Sequence, residues 1–183
     1  MAINNQVAVI GDARLSHQTA ITRARSVGKC IAQNGYHLVC GGLGGTMQES
    51  CHGFKSVPEA GHTIGILPSY ESHSANPFID IIIPTGLDVG RNQLVVASGF
   101  AVVVLGGGAG TLSEIALASQ IGRPILLLQG SGGWADRLQA GYLDQRQTAP
   151  LILINTLEEL ASQLSFWAKK QDNAATIQAT PQR

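Results

Sequence analysis

Short apolar runs alternate with stretches of helical spacing along most of the chain. "QVAVIG", Gln6 to Gly11, is a compact apolar run closed by glycine. The next stretch, "HQTAITRARSVGKCIAQNG", sets Ile21, Ala24, Val27 and Ile31 on one helical face and stops at Asn34-Gly35. The cycle then repeats. Strands are predicted in "YHLVCGG" from Tyr36, "HTIGILP" from His62, "FIDIIIPTG" from Phe78, "FAVVVLGGG" from Phe100, "PILLLQG" from Pro124 and "PLILIN" from Pro150. Helices are predicted in "TMQESCHGFKSVPEAG" from Thr46 and in "DVGRNQLVVASG", which Asp88 opens as an N-cap. Three more fall in "TLSEIALASQIGRP" from Thr111, "WADRLQAGYL" from Trp134 and "TLEELASQLSFWAKK" from Thr156. "SYESHSANP" reads as a loop. Past Lys170 the apolar period is lost, so 171–183 is expected to be a disordered tail.

The apolar runs do not alternate with polar residues. Strands of that kind are buried on both faces, as in a parallel sheet covered by helices. The pattern predicts one α/β domain over 1–170: a doubly wound, mostly parallel, Rossmann-like sheet of about seven strands flanked by helices. Ligands of such sheets sit at the carboxyl ends of the strands. The informative residues are therefore those just after Ile10, Cys40, Leu67, Ile83 and Leu105.

Composition narrows the function classes. Of 183 residues, 44% are hydrophobic and 13% charged, so much of the surface is neutral and a homo-oligomer is expected. Twelve basic residues balance twelve acidic ones, which disfavours holding nucleic acid by its phosphates. The cysteines Cys30, Cys40 and Cys51 fit neither a disulfide framework nor a metal knuckle and read as free thiols in a reducing cytoplasm. No secretory h-region and no window of about 20 apolar residues is present, so a cytoplasmic protein without a membrane partner is expected. The five histidines lack metal-ligand spacing, and no metal site is predicted; His73, in a strand-end loop, is a minor candidate for ligand contact.

Two loops carry the candidate chemistry. "GGLGGTMQES" follows Cys40 and "GGGAGTLSEI" follows Leu105. Each is strand, glycine loop, threonine, helix. Glycine lets the backbone approach a ligand, and the following helix offers unpaired N–H groups and the positive end of its dipole. Both features favour a phosphate or another anion. The candidate binding residues are Gly41, Gly42, Gly44, Gly45 and Thr46 in the first loop, and Gly106, Gly107, Gly108, Gly110 and Thr111 in the second. Thr46 and Thr111 stand where a hydroxyl can cap a helix or donate to an oxyanion. Neither loop has the Gly-Lys-Ser/Thr of a P-loop, and the first strand ends in "GDARLS", not a dinucleotide fingerprint. Arg91 falls in a helix's first turn, where a cation opposes the dipole; it can clamp an anion or pair with Asp88. Glu114 either steadies its own helix or places a carboxylate at the ligand edge.

"GGGAGTLSEI" resembles the Pro-Gly-Gly-x-Gly-Thr-x-x-Glu motif of the Lonely-guy family, and "GGLGGTMQES" resembles that family's first glycine loop. "GRNQLVVASG" is similar to the arginine-bearing helix before the motif. The wider run "GHTIGILPSYESHSANPFIDIIIPTGLDVGRN" looks more like the branch holding molybdenum cofactor carrier proteins and relatives of a DNA-processing factor. The family's arginine and glutamate correspond to Arg91 and Glu114. In the hydrolases they imply catalytic cleavage of a nucleoside 5′-monophosphate, such as a cytokinin riboside monophosphate, at its N-glycosidic bond. In the carriers the same loops imply binding of molybdenum cofactor, a pterin bearing a phosphate, with molybdoenzymes as partners. This chain has Gly106 for the motif's proline, Asn92 for the basic residue after the arginine, and Ser113 for the acid before the glutamate. A carrier needs no catalytic acid, so the carrier reading leads, the hydrolase follows, and a DNA-processing role comes last.

Overall fold

The β1 strand (Gln6–Gly11) lies in the middle of the sheet, and the chain winds outward from it twice. The computed structural model describes residues 4–178. On the first half-circuit come α1 (Gln18–Gln33), β2 (His37–Cys40), α2 (Thr46–Lys55), β3 (Thr63–Leu67) and β4 (Ile81–Pro84). The chain then returns through α3 (Asn92–Ser98) to β5 (Ala101–Leu105) on the other side of β1. It continues through α4 (Ala109–Gln120), β6 (Ile125–Leu128), α5 (Gly133–Arg137), β7 (Gly141–Tyr142), β8 (Pro150–Ile154) and α6 (Leu157–Gln178). The sheet order is β4-β3-β2-β1-β5-β6-β8-β7, parallel throughout except for β7 against β8. The doubly wound α/β fold is thus the one the apolar runs predict. Its winding reverses between β1 and β5, and a crevice opens there at the carboxyl ends of the strands.

Successive strand residues face opposite sides, so each central strand feeds two cores. Val7, Val9, Val103 and Leu105 pack with α1, α2 and α6. Ala8, Ile10, Val102 and Val104 pack with α3, α4 and α5. Fully burying such a side chain stabilises the fold by about 1.5–3 kcal/mol. The first core includes all three cysteines, which are buried free thiols.

The structure departs from the sequence reading in five places. The apolar run at β4 is the edge strand of the sheet, with Ile81, Ile82 and Ile83 about two-fifths exposed. Asp88 is not an N-cap. It sits inside a 3-10 turn, Asp88–Arg91, at φ 49, the left-handed region that Asp tolerates, and its N–H reaches the Pro68 carbonyl at 2.9 Å. The α2 helix ends at Lys55, before Pro58. The helix predicted from Trp134 stops at Arg137, and Gly141–Tyr142 pairs as the added eighth strand. Last, residues 171–178, predicted to be disordered, continue α6, where Gln171 donates its side-chain amide to the Asn4 carbonyl at 2.9 Å. Helix-favouring residues sustain the helix without an apolar period. Residues 179–183 of the predicted tail lie outside the described residues.

Candidate functional site

A cavity of about 340 Å³ opens at the crevice between β1 and β5. Gly41, Arg91, Gly108, Gly110, Thr111 and Glu114, six of the predicted residues, line it. Gly42, Gly44, Gly45, Thr46, Gly106 and Gly107 are not among its lining residues. Gly11, Asp12, Met47 and Asn92, which the sequence reading did not select, line the cavity too. His73 does not reach it. It is largely exposed in a surface 3-10 turn, 3.6 Å from Glu71.

The two glycine loops do different work. The first is braced by other segments, and among the described residues the N–H groups of Met47 and Gln48 at the start of α2 have no acceptor. The N–H of Thr46 donates to the Asp12 carbonyl at 2.8 Å, so this donor of α2 is spent inside the protein. The Thr46 hydroxyl is buried without a partner and caps nothing. Asn76, from the loop before β4, donates its amide to the carbonyls of Gly42 at 3.1 Å and Leu43 at 3.0 Å. The loop's shape is fixed by these bonds.

The second loop is open. Among the described residues, the N–H groups of Ala109, Gly110 and Thr111 have no acceptor at the start of α4. These donors, with the helix dipole, are the anion-inviting end of the cavity. The Thr111 hydroxyl is not among them, since it donates to the Gly11 carbonyl at 3.2 Å. "QGSGGWADRL" explains the loop's orientation. The N–H groups of Trp134 and Ala135 donate to the carbonyls of Gly107 and Gly106, each at 3.0 Å, so both carbonyls are bonded to this segment. Asp136 holds this support by accepting from Gly130 at 2.7 Å and Gly132 at 2.9 Å. Position 106 cannot be the motif's proline here. Its φ is 62, its N–H donates to Ser131 Oγ at 2.8 Å, and a Cβ there would collide with Asp12 Oδ2.

Arg91 stands at the junction of the 3-10 turn and α3, with 9% of its surface exposed. Its guanidinium lies flat on Gly41, where an added Cβ would come within 2.5 Å of Nη2. Nη1 donates to Asn92 Oδ1 at 2.7 Å and lies 3.6 Å from Glu114 Oε1, while Nε is buried without a partner. Arg91 therefore pairs with Glu114 rather than Asp88. Glu114 is 7% exposed. Burial pushes its carboxyl up to about 7, against the downward pull of Arg91. Asn92 donates its amide to Ser113 Oγ at 3.4 Å. The two helix positions that depart from the motif are thus one neutral contact between α3 and α4.

The doubly wound sheet is Rossmann-like, and its switch-point cavity combines an open helix start, a buried arginine and a buried acid. The sequence profile of the SLOG cluster4 family matches residues 4–163, and the chain belongs to that family, within the Lonely-guy-like superfamily. An uncharacterized protein of Archaeoglobus fulgidus is 40% identical over 124 residues, 68% of this chain and 80% of that protein. The molybdenum cofactor binding protein of Rippkaea orientalis has a similar structure, with a TM-score of 0.75 and 31% identity over 87% of this chain and 94% of that one. The molybdenum cofactor carrier protein of Chlamydomonas reinhardtii superimposes with a TM-score of 0.73 at 27% identity, over 88% and 97% of the two chains.

Proposed function

We propose that this chain binds and carries molybdenum cofactor, seating the phosphate of its pterin on the open start of α4 beside Arg91. The observation that carries the reading is the set of free N–H groups at the start of α4, where Gly110 and Thr111 line a cavity with a buried arginine. Likeness to two proteins that bind or carry this cofactor, along most of both chains, supports it. The residues fit such a cargo through its phosphate and ring. Arg91 and the N–H groups of Gly110 and Thr111 would hold its anionic end. The protein's part is to bind, orient and shield. The exposed β4 edge favours a homo-oligomer, and delivery to a molybdoenzyme in the cytoplasm completes the reading. The purified protein is expected to retain cofactor and protect it in a nitrate-reductase reconstitution assay, and Arg91→Glu to lose that protection. Failure of the native protein to protect the cofactor refutes the proposal.

A second reading rests on one observation, the buried Glu114 beside Arg91. An ionised Glu114 could stabilise positive charge developing on a ribose ring, making the site a nucleoside 5′-monophosphate hydrolase. That reading requires release of ribose 5-phosphate from AMP or isopentenyladenosine monophosphate, abolished in Glu114→Ala. The balanced net charge disfavours a DNA-processing role.

A further inference from the structure

Two acidic residues, Glu114 and Asp12, line the cavity, and they are placed differently. Glu114 is buried against Arg91. Asp12, which follows β1 at the switch point, is half-buried. Its backbone is pinned by the Thr46 N–H, and its Oδ2 lies over Gly106, in space that a Cβ at 106 would fill. Among the described residues no donor is hydrogen-bonded to its carboxylate. Lining charges are then one cation, Arg91, against two acids. A bare oxyanion seated at α4 gains nothing from Asp12 and is repelled by it. A carboxylate only accepts, through two oxygens set side by side, so its complement is a pair of N–H donors.

We propose that Asp12 is a specificity-determining residue that accepts two hydrogen bonds from an amino-pyrimidinone edge, ring N–H plus exocyclic amine, on a heterocycle whose anionic group sits at the start of α4. The proposal rests on the reading of this cavity as a site for a phosphate-bearing heterocycle. The Arg91 side chain, nine-tenths buried yet lining the same cavity as Gly110 and Thr111, is the independent sign that the cavity is built for a polar ligand. Gly106 belongs to the same device, because its missing side chain is what lets the Asp12 carboxylate lie against the second loop. A ligand without the exocyclic amine leaves one Asp12 oxygen desolvated and unpaired, which is how such sites reject close analogues.

Calorimetric titration with three probes tests this. GMP carries the amino-pyrimidinone edge, IMP lacks its exocyclic amine, and ribose 5-phosphate carries the anion alone. The native protein is expected to bind GMP at least about tenfold more tightly than IMP. Asp12→Asn, nearly isosteric and checked by thermal melting, is expected to shrink that ratio to about threefold or less. The same variant should bind ribose 5-phosphate as well as the native protein or better, because a repelling charge is gone. A purely structural Asp12 would weaken all three probes together. Equal native affinity for GMP and IMP, or a preference that survives Asp12→Asn, overturns the inference while leaving the anion seat intact. If none of the three probes binds the native protein, the anion seat itself is refuted and this inference falls with it.

Discussion

Glu114 sits at the edge of protonation, and that gives the proposed anion binding a pH dependence of definite sign. Burial holds its carboxyl near 7, so the cavity gains a negative charge as the pH rises through that value. Two unit charges ~6 Å apart at an effective dielectric of ~20 repel by ~3 kcal/mol, roughly 100-fold in affinity. Water and salt in an open cavity reduce this, so a loss of about tenfold or more between pH ~6 and ~8.5 is the expected effect. Sulfate is the right probe, because its own charge is constant over that range. Calorimetric titration of the native protein should give an affinity that falls with rising pH. Glu114→Gln should give a flat profile near the native low-pH value. Stability carries a second reading of the same group. The folded carboxyl holds its proton to a higher pH than the unfolded one, so its contribution is fullest below about 4.5 and is lost as the pH rises to about 7. The whole effect is ~3 kcal/mol, and Glu114→Gln should recover up to that amount in urea denaturation at pH ~8. A flat native sulfate profile, or an equally steep one in Glu114→Gln, refutes the reasoning.

Gly41→Ala should displace the Arg91 guanidinium, which lies where the new Cβ must go, and weaken sulfate binding by about tenfold while the thermal midpoint changes little. Gly106→Pro, which restores the motif's residue, should destabilise the protein by ~3 kcal/mol or more in urea denaturation, since it loses the Ser131 bond and cannot adopt φ 62. Ile82→Lys on the open edge strand should shift sedimentation velocity towards monomer, and an unchanged profile removes β4 from any interface.

The parts of the molecule with a local signature were legible. Unbroken apolar runs marked the central strands, and glycine clusters after Cys40 and Leu105 marked the two loops. Arg91 stood out because its charge opposed its own helix. What stayed hidden depends on neighbours distant in sequence. Asp12 matters because β1 pairs with β5, which brings its carboxylate over Gly106. Asn76 matters because its loop folds back on Gly42. The switch-point rule did single out the residues after Ile10, and pairing β1 with β5 is the step that would have raised Asp12 to a candidate. Likewise the run at Ile81 is as apolar as a central strand, and nothing local tells an edge from a centre. A two-residue strand such as β7 has no period to detect.

The three departures from the hydrolase motif become one arrangement in space. Asn92 and Ser113 meet as a neutral pair between α3 and α4, and Gly106 shapes the loop at the start of α4. With no second cation bonded to it among the described residues, Glu114 has Arg91 alone to oppose its desolvation, and its carboxyl stays near 7. This sets the two functional readings against each other. A group that stabilises an oxocarbenium-like ribose must be ionised, which here requires pH above about 7. An anion seated at α4 is held better when the same group is neutral, below that value. Binding and hydrolysis should therefore respond to pH in opposite directions through one residue. A site built to hold a phosphate-bearing cargo at near-neutral pH is better served by a half-protonated acid than a site built to cut.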